Sequence, residues 1–539
     1  MIKRLYPLFC SLLLPCFLIN ANAAENIKPN IVFIFADDMS YKTAGFMGHE
    51  IVKTPHLDKL AAKGVIFNKA YNMGSWTPAV CMTSRSMINT GLSMWRSHEI
   101  EKTLAALSPS KKSKKKAKKN KNSKNKKQKE ITSQPLSKET SKEQLAVNKA
   151  KQASIIETLW SSRMKNAGYD TYMTGKWHVK APAQASFDEI GTVRAGMPKQ
   201  SKQRYARTFD QTLDSWSPFD KSMGGFWAGG QHWSETLADE AIGYLSKKEN
   251  STKPFFMYIA FNAPHDPRQA PKAFVDMYPI SDIQLPKSYQ AQNPDMETMG
   301  LLGNKKAGSN KTGMKKGKIL RDESLGPMPR TEYSTKINRQ EYYASITHLD
   351  AQVGRIVAEL KANNQLENTI IIFTADHGLA IGEHGLLGKQ NLFEHSMRAP
   401  FFIQGKGIPQ GEVRDEAIYI QDAMATSLEL AKASTEAIEF NSIMPIINKN
   451  SASSYNAIYG AYVNNQRAII VDNYKLILYP KTKSMRLFDL KKDPDELTDL
   501  SLHIEYKNKK QRLFADLLLE QKDKADPLNL VAIYPELSN

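Results

Sequence analysis

The chain has 539 residues, of which 41% are hydrophobic and 24% charged. That balance excludes a wholly disordered chain, and the length suffices for more than one domain around a large core. The formal net charge of +19 is uneven: Lys111 to Lys129 holds twelve lysines and no acid, and taking these twelve from +19 leaves about +7 elsewhere.

In chain order, Lys3 and Arg4 precede an apolar run from Leu5 to Ile19 and a small-x-small step at Ala21-Asn22-Ala23. This reads as a secretory signal peptide over residues 1–24, too short and wrongly flanked to span a membrane. Proline just before Cys16 fits a lipidation box poorly, so a secreted or periplasmic soluble protein is expected. No later segment approaches the ~20 apolar residues of a spanning helix, so no membrane span is expected. Loss of Cys10 and Cys16 with the leader makes Cys81 the single cysteine of the mature chain.

Ile31–Ala36 is an unbroken aromatic and β-branched run ending in Asp37-Asp38. Such runs are the pattern of strands buried on both faces. A helix is predicted from His56 to Gly64. Pro78 to Gly91 then reads as a loop turning into a helix, with Cys81 at its start and Gly91 as its stop. A sulfur at a helix N-terminus meets unpaired N–H groups and the positive dipole end, and Arg85 follows one turn later on the same face. Taken alone, Cys81 could equally be a small buried side chain.

Residues 103–151 form a Lys/Ser/Asn/Gln-rich stretch with almost no aromatics, expected to be a disordered insertion within the folded domain. Its expected role is a solvated loop, with retention of a polyanion near the site as the alternative. Export argues against nucleic acid as a partner. Helices follow from Ser154 to Gly168, Glu235 to Leu245 and Arg339 to Asn363. Between them, Phe255–Phe261 runs into Asn262-Ala263-Pro264-His265, and Thr369–Ala375 into Asp376-His377-Gly378. Strands alternating with helices predict an α/β domain with a mainly parallel sheet between helices. Ligands collect beyond the carboxyl ends of such strands, which would gather Asp37, Asp38, His265, Asp376 and His377 on one edge.

Three carboxylates so gathered would repel and tend to hold protons, and a hard divalent cation removes the conflict. Asp37, Asp38 and Asp376 therefore read as metal ligands, with His377 as an additional one. An isolated Asp-Asp pair would read only as a solvated turn; the second strand ending in Asp376-His377 is what points to a metal. Lys176 and His178, at i and i+2 after Gly168-Tyr169-Asp170-Thr171, would project to one side of an extended backbone.

Beyond Asp422–Leu430, a predicted helix, short strands are expected at Ala457–Gly460, Gln466–Val471, Tyr474–Tyr479 and Met485–Leu490, with a closing helix near Tyr506–Lys522. They predict a small antiparallel subdomain over 433–539, after a main domain over 25–432. The chain shows no internal repeat and no Gly-rich phosphate loop.

Cys81-Met82-Thr83-Ser84-Arg85 followed by Thr90-Gly91 resembles the signature of type I sulfatases, members of the alkaline-phosphatase superfamily whose cysteine a separate enzyme oxidises to formylglycine. Thr83 stands where that pattern usually has proline or alanine. Pro29 to Asp38 and Thr374 to Gly378 resemble the family's metal segments. Gly175-Lys176-Trp177-His178, Pro264-His265-x-Pro267, and Gly388-Lys389 with Phe393 to Pro400 resemble its substrate segments, and Arg486–Leu490 with Asp493–Glu496 its C-terminal subdomain. Residues 182–230 and 280–335 match no readable motif and are expected to face the substrate.

The resemblance implies sulfate-ester hydrolysis, with Cys81, Arg85, His178 and His265 catalytic and Lys176, His265 and Lys389 binding substrate. Asp37, Asp38, the modified Cys81, Asp376 and His377 would hold one Ca²⁺ ion, with Mg²⁺ as the alternative. It also implies positive charge from Arg85, Lys176 and Lys389 around the sulfuryl oxygens, protonation of the leaving oxygen by His265, alone or with Lys389, and help from His178 in regenerating the aldehyde. The implied partners are a sulfated carbohydrate or other sulfate ester and a formylglycine-generating maturation enzyme. Two other functions fit the same residues: a phosphodiester or phosphonate monoester hydrolase of that superfamily, and a non-catalytic binder of sulfated glycans.

Overall fold

Asn30–Asp37, Phe255–Pro264 and Thr369–Ala375 lie side by side as parallel strands, every residue of the three buried, as their unbroken apolar composition requires. The computed structural model describes residues 28–107, 138–194, 214, 216–223, 227–302, 319–449 and 454–538. The expected signal peptide lies outside these residues, as does 108–137 of the lysine-rich stretch.

The strands of the first half are β1 (Asn30–Asp37), β2 (Gly64–Tyr71), β3 (Gly74–Ser75), β4 (Asp170–Lys176), β5 (Glu189–Arg194), β6 (Trp227–Ala228), β7 (Gln231–His232) and β8 (Phe255–Pro264). The second half adds β9 (Thr369–Ala375), β10 (Arg398–Ala399), β11 (Phe401–Gln404), β12 (Glu412–Tyr419), β13 (Ile458–Tyr462), β14 (Gln466–Val471), β15 (Tyr474–Tyr479) and β16 (Ser484–Asp489). The large sheet runs β10-β2-β11-β9-β1-β8-β4-β5, with β12 pairing β2. From β9 to β5 it is parallel; β11 runs antiparallel between β9 and β2. The sheet is therefore mixed, with a parallel centre.

One group of helices, including Glu332–Ala362 and Trp233–Lys247, packs on β8; a second, including Val80–Thr90, Trp160–Asn166 and Asp422–Leu430, packs together beside β4. Under the second group Phe33 lies 4.9 Å from Trp160 and 5.2 Å from Tyr258, ring centre to ring centre, an aromatic layer beneath the strand ends.

The second sheet, β16-β15-β14-β13-β3, is antiparallel except where β3 joins β13 in parallel. Because β3 comes from the loop before Cys81, this sheet is clamped to the main domain. The boundary expected at 432–433 is not a clean cut, since Ile443, Met444, Ile446 and Ile447 still pack in the main core. Lys475 binds Glu394 at 3.0 Å across the same junction, and Glu496 of its own subdomain at 2.9 Å.

The lysine-rich stretch is more ordered at its ends than expected. Met94–Leu107 and Lys138–Glu157 are helices, so 103–107 and 138–151 are not irregular. Leu104 in the first helix and Ile156 in the second anchor them to the main core. The helix expected from Ser154 to Gly168 is broken after Glu157 and resumes at Trp160. No helix among the described residues is long and apolar enough to cross a membrane.

Candidate active site

Asp37 ends β1 and Asp376 directly follows β9, its neighbour, so register alone sets the two carboxylates side by side. Asp38 turns the chain with φ 69°, a left-handed conformation that costs a residue with a side chain energy. Three bonds hold it there. Asp38 N–H donates to Asp376 Oδ1 at 3.1 Å, and the Tyr342 hydroxyl donates to the Asp38 carbonyl while accepting from Ser40 N–H at 2.9 Å.

The helix Val80–Thr90 brings Cys81 to the same edge and stops at Gly91, whose φ of 71° and N–H to Met87 carbonyl close it as expected. Single donor atoms of Asp37, Cys81, Asp376 and His377 lie within 4.8 Å of one another, as do those of Asp37, Asp38 and His265. All are buried. Every metal and substrate residue expected from the sequence thus reaches one place.

Lys176, at the end of β4, pairs with Asp37 Oδ2 and lies 3.4 Å from Cys81 Sγ; His178 Nδ1 lies 3.5 Å from the same sulfur. Lys389 Nζ donates to Asp38 Oδ1 at 2.5 Å. His377 Nε2 is 3.2 Å from Asp38 Oδ1 and 3.4 Å from Asp376 Oδ1, with Nδ1 at 2.8 Å from the Gly378 carbonyl.

The charges are balanced locally. Burial would raise Asp37, but Lys176, His265 and Arg85 hold it well below the usual carboxylate range. Burial pushes Asp38 up to about 6 despite Lys389, and burial with neighbouring Asp37 raises Asp376. Burial disfavours charge on Lys389, yet Asp38 raises it further above its ordinary value. Burial would also raise the Cys81 thiol, but Lys176, Lys389 and His178 bring it well below its ordinary range, a thiolate-favouring setting.

Arg85 and His265 have partners that the sequence did not reveal. The Arg85 guanidinium is wholly buried, donating from Nε to Asp376 Oδ2 at 3.0 Å and from Nη1 to the Lys176 carbonyl at 2.8 Å, with Nη2 3.8 Å from Asp37 Oδ1. It also lies over Phe35 at 4.7 Å. Helical spacing put Arg85 on the right face; the Asp376 carboxylate and the Lys176 carbonyl take its hydrogen bonds, and Nη2 is buried without one. His265 holds its proton at Nδ1 against the Asp266 carbonyl, 2.8 Å away, leaving Nε2 as an acceptor 3.3 Å from Arg321 Nη2. Burial, then Lys389, lowers its pKa well below the ordinary value.

Sequence reasoning missed several supporting residues. Arg321 and Asp322 come from the unmatched stretch; Asp322 accepts from Gln390 at 2.7 Å, beside Lys389. Asn72 donates to the Asp376 carbonyl at 2.6 Å. Thr83, the departure from the usual signature, is buried and shares a 2.7 Å bond with Ser75 Oγ.

The donor set suits a hard divalent cation. Asp37 Oδ1 and His377 Nε2 are buried without a hydrogen-bond partner, and carboxylate oxygens dominate the cluster. The thiol is the misfit, since sulfur is a soft ligand and an oxygen at the same position would suit such an ion better.

A superfamily-scale α/β fold with acids, a cysteine and two lysines at its strand ends is what the comparisons match. The family model described as Sulfatase matches residues 29–433, and that of N-sulphoglucosamine sulphohydrolase, C-terminal, matches 382–523. The chain belongs to the sulfatase family, within the alkaline-phosphatase superfamily, and is a sulfatase enzyme. An arylsulfatase of Clostridium perfringens is 28% identical over 90% of this chain and 92% of its own. Among solved structures, BT4656 in complex with its substrate D-glucosamine-2-N,6-O-disulfate is similar at TM-score 0.63 and 21% identity, over 93% of this chain and 99% of that one. The phosphonate monoester hydrolase of Agrobacterium radiobacter is similar at TM-score 0.63 and 19% identity, over 92% and 96%.

Proposed function

We propose that this sulfatase hydrolyses sulfate esters on saccharides, using formylglycine made from Cys81 and one divalent cation, Ca²⁺ by preference. The observation that carries the reading is the buried meeting of Asp37, Cys81, Asp376 and His377, with Lys176 and His178 both on the sulfur. Conversion by a maturation enzyme would take two electrons from the β-carbon, release the sulfur as sulfide and add an oxygen from water, given a two-electron oxidant. The aldehyde, as its hydrate, supplies an oxygen nucleophile at position 81. Asp37, Asp38, Asp376 and His377 would hold the cation, which when bound would supply positive charge at this edge.

The chain's own groups divide the remaining work. His178 Nδ1 is placed to hold or remove a proton at the end of side chain 81. Lys176 keeps positive charge beside that atom. His265, with Lys389 beside it on Asp38, is assigned to the leaving ester oxygen. Arg85 favours the ionised forms of Asp37 and Asp376 and holds the latter in place. The leader sequence supports export, and the disulfated sugar named with BT4656 supports a saccharide substrate.

The fold is equally similar to that of a phosphonate monoester hydrolase, so the test is a panel in one assay. Sulfated mono- and oligosaccharides should be turned over well ahead of phosphonate monoesters and phosphodiesters. The reverse ranking would transfer the assignment to the second activity.

A further inference from the structure

A cavity of about 1160 Å³ opens at the opposite edge of the large sheet, where β9 begins and β11 ends. The seven residues of β9 separate it from Asp376, a distance of about 23 Å at ~3.3 Å per residue. Its lining includes Lys59, Lys63, Lys361 and Lys406 against one acid, Glu367. All four lysines are exposed and none is ion-paired to a described residue. Four ammonium groups around one concavity repel each other, and the arrangement gains from an anion that joins them.

A second observation is independent of charge. Gln404, the last residue of β11, also lines this cavity and is 7% exposed, yet its Nε2 is buried without a hydrogen-bond partner. A buried amide donor normally finds an acceptor, and leaving one unmade is costly. The cavity far exceeds one inorganic anion and has room for a multi-ring ligand.

We infer that this cavity is an accessory site for an anionic oligosaccharide, its charged groups meeting the four lysines and an oxygen of the sugar accepting from Gln404. The choice of saccharide rests on the proposed substrate class; the anionic, oxygen-rich character of the ligand does not. Such a site would hold one part of a sulfated chain while another part is at the catalytic edge, raising local substrate concentration.

The test is calorimetric titration of the full chain with a heparin-derived tetrasaccharide, at low and at physiological salt. Two binding events are expected. With Lys59→Gln, Lys63→Gln, Lys361→Gln and Lys406→Gln combined, the weaker-salt event should lose about ten-fold or more in affinity, since four exposed contacts are removed. Gln404→Leu should weaken the same event without changing net charge. Turnover of 4-nitrophenyl sulfate should stay within about two-fold in both variants, because neither touches the catalytic edge. Identical titrations of parent and variants would overturn the inference, and so would an equal loss for a short DNA duplex, which marks unselective attraction. Two binding events in a chain that turns over no sulfate ester would defeat the proposed function and leave this site standing.

Discussion

Arg85→Met separates what the structure assigns to this side chain from a role on the substrate. The guanidinium is wholly buried and compensates two carboxylates, Asp376 at 3.0 Å and Asp37 at 3.8 Å. Methionine keeps much of the packing over Phe35 but leaves that charge unpaired, a change of about 3–5 kcal/mol for a broken buried pair. Roughly 440 described residues at ~2.1 cal/mol/K each give an unfolding entropy of about 0.9 kcal/mol/K, so metal-free protein should lose about 3–6 °C in Tm. A cation on the same carboxylates replaces part of the lost charge. At a hundredfold excess over its Kd, it stabilises by about 2.7 kcal/mol. Scanning calorimetry with EDTA and with excess calcium reads both quantities. The expected result is a large deficit in EDTA that calcium narrows. An unchanged Tm in EDTA, or an equal loss in both conditions, would refute the compensation argument.

Three further outcomes are expected. Asp376→Ala should fold but bind little metal by elemental analysis; full metal content would remove Asp376 from the ligand set. Burial pushes Asp422 up to about 8, above the ~3.9 of an unfolded aspartate, so the folded chain binds more protons between these values. Its stabilising share is complete below about pH 4 and is lost as pH rises towards 8, so Asp422→Asn should flatten the fall in stability over that interval. Thr83→Ala removes one buried hydroxyl bond to Ser75, costing about 1 kcal/mol, and should raise the fraction of Cys81 converted in a foreign host.

Much of the fold is legible in the sequence because burial on both faces leaves a plain mark. β1, β8 and β9 are unbroken apolar runs, and the residues at their ends are the site. The helix Val80–Thr90 is legible from Gly91, whose left-handed φ is observed. Less visible are contacts set by long-range packing. β3 is two residues long and joins the C-terminal sheet, and β11 runs against its parallel neighbour. No local pattern in either segment encodes those partners. The same holds at the site: Tyr342 fixes Asp38 across about 300 residues of chain, and Arg321 reaches His265 from a stretch without a motif. Arg85 shows the limit most clearly, since spacing gave its face and only the strand ends determine its partners.

The account turns on the atom at position 81. A thiol there is a poor ligand for the expected ion and cannot form the hydrated aldehyde that the proposed reaction uses. Replacing SH₂ by O lowers the residue mass by about 18 Da, a covalent change that peptide mass spectrometry resolves. The tryptic peptide ending at Arg85, from protein made in its native host, should carry that loss in the same preparation that turns over sulfate esters. Active native protein with an intact Cys81 thiol would contradict the mechanism at its centre.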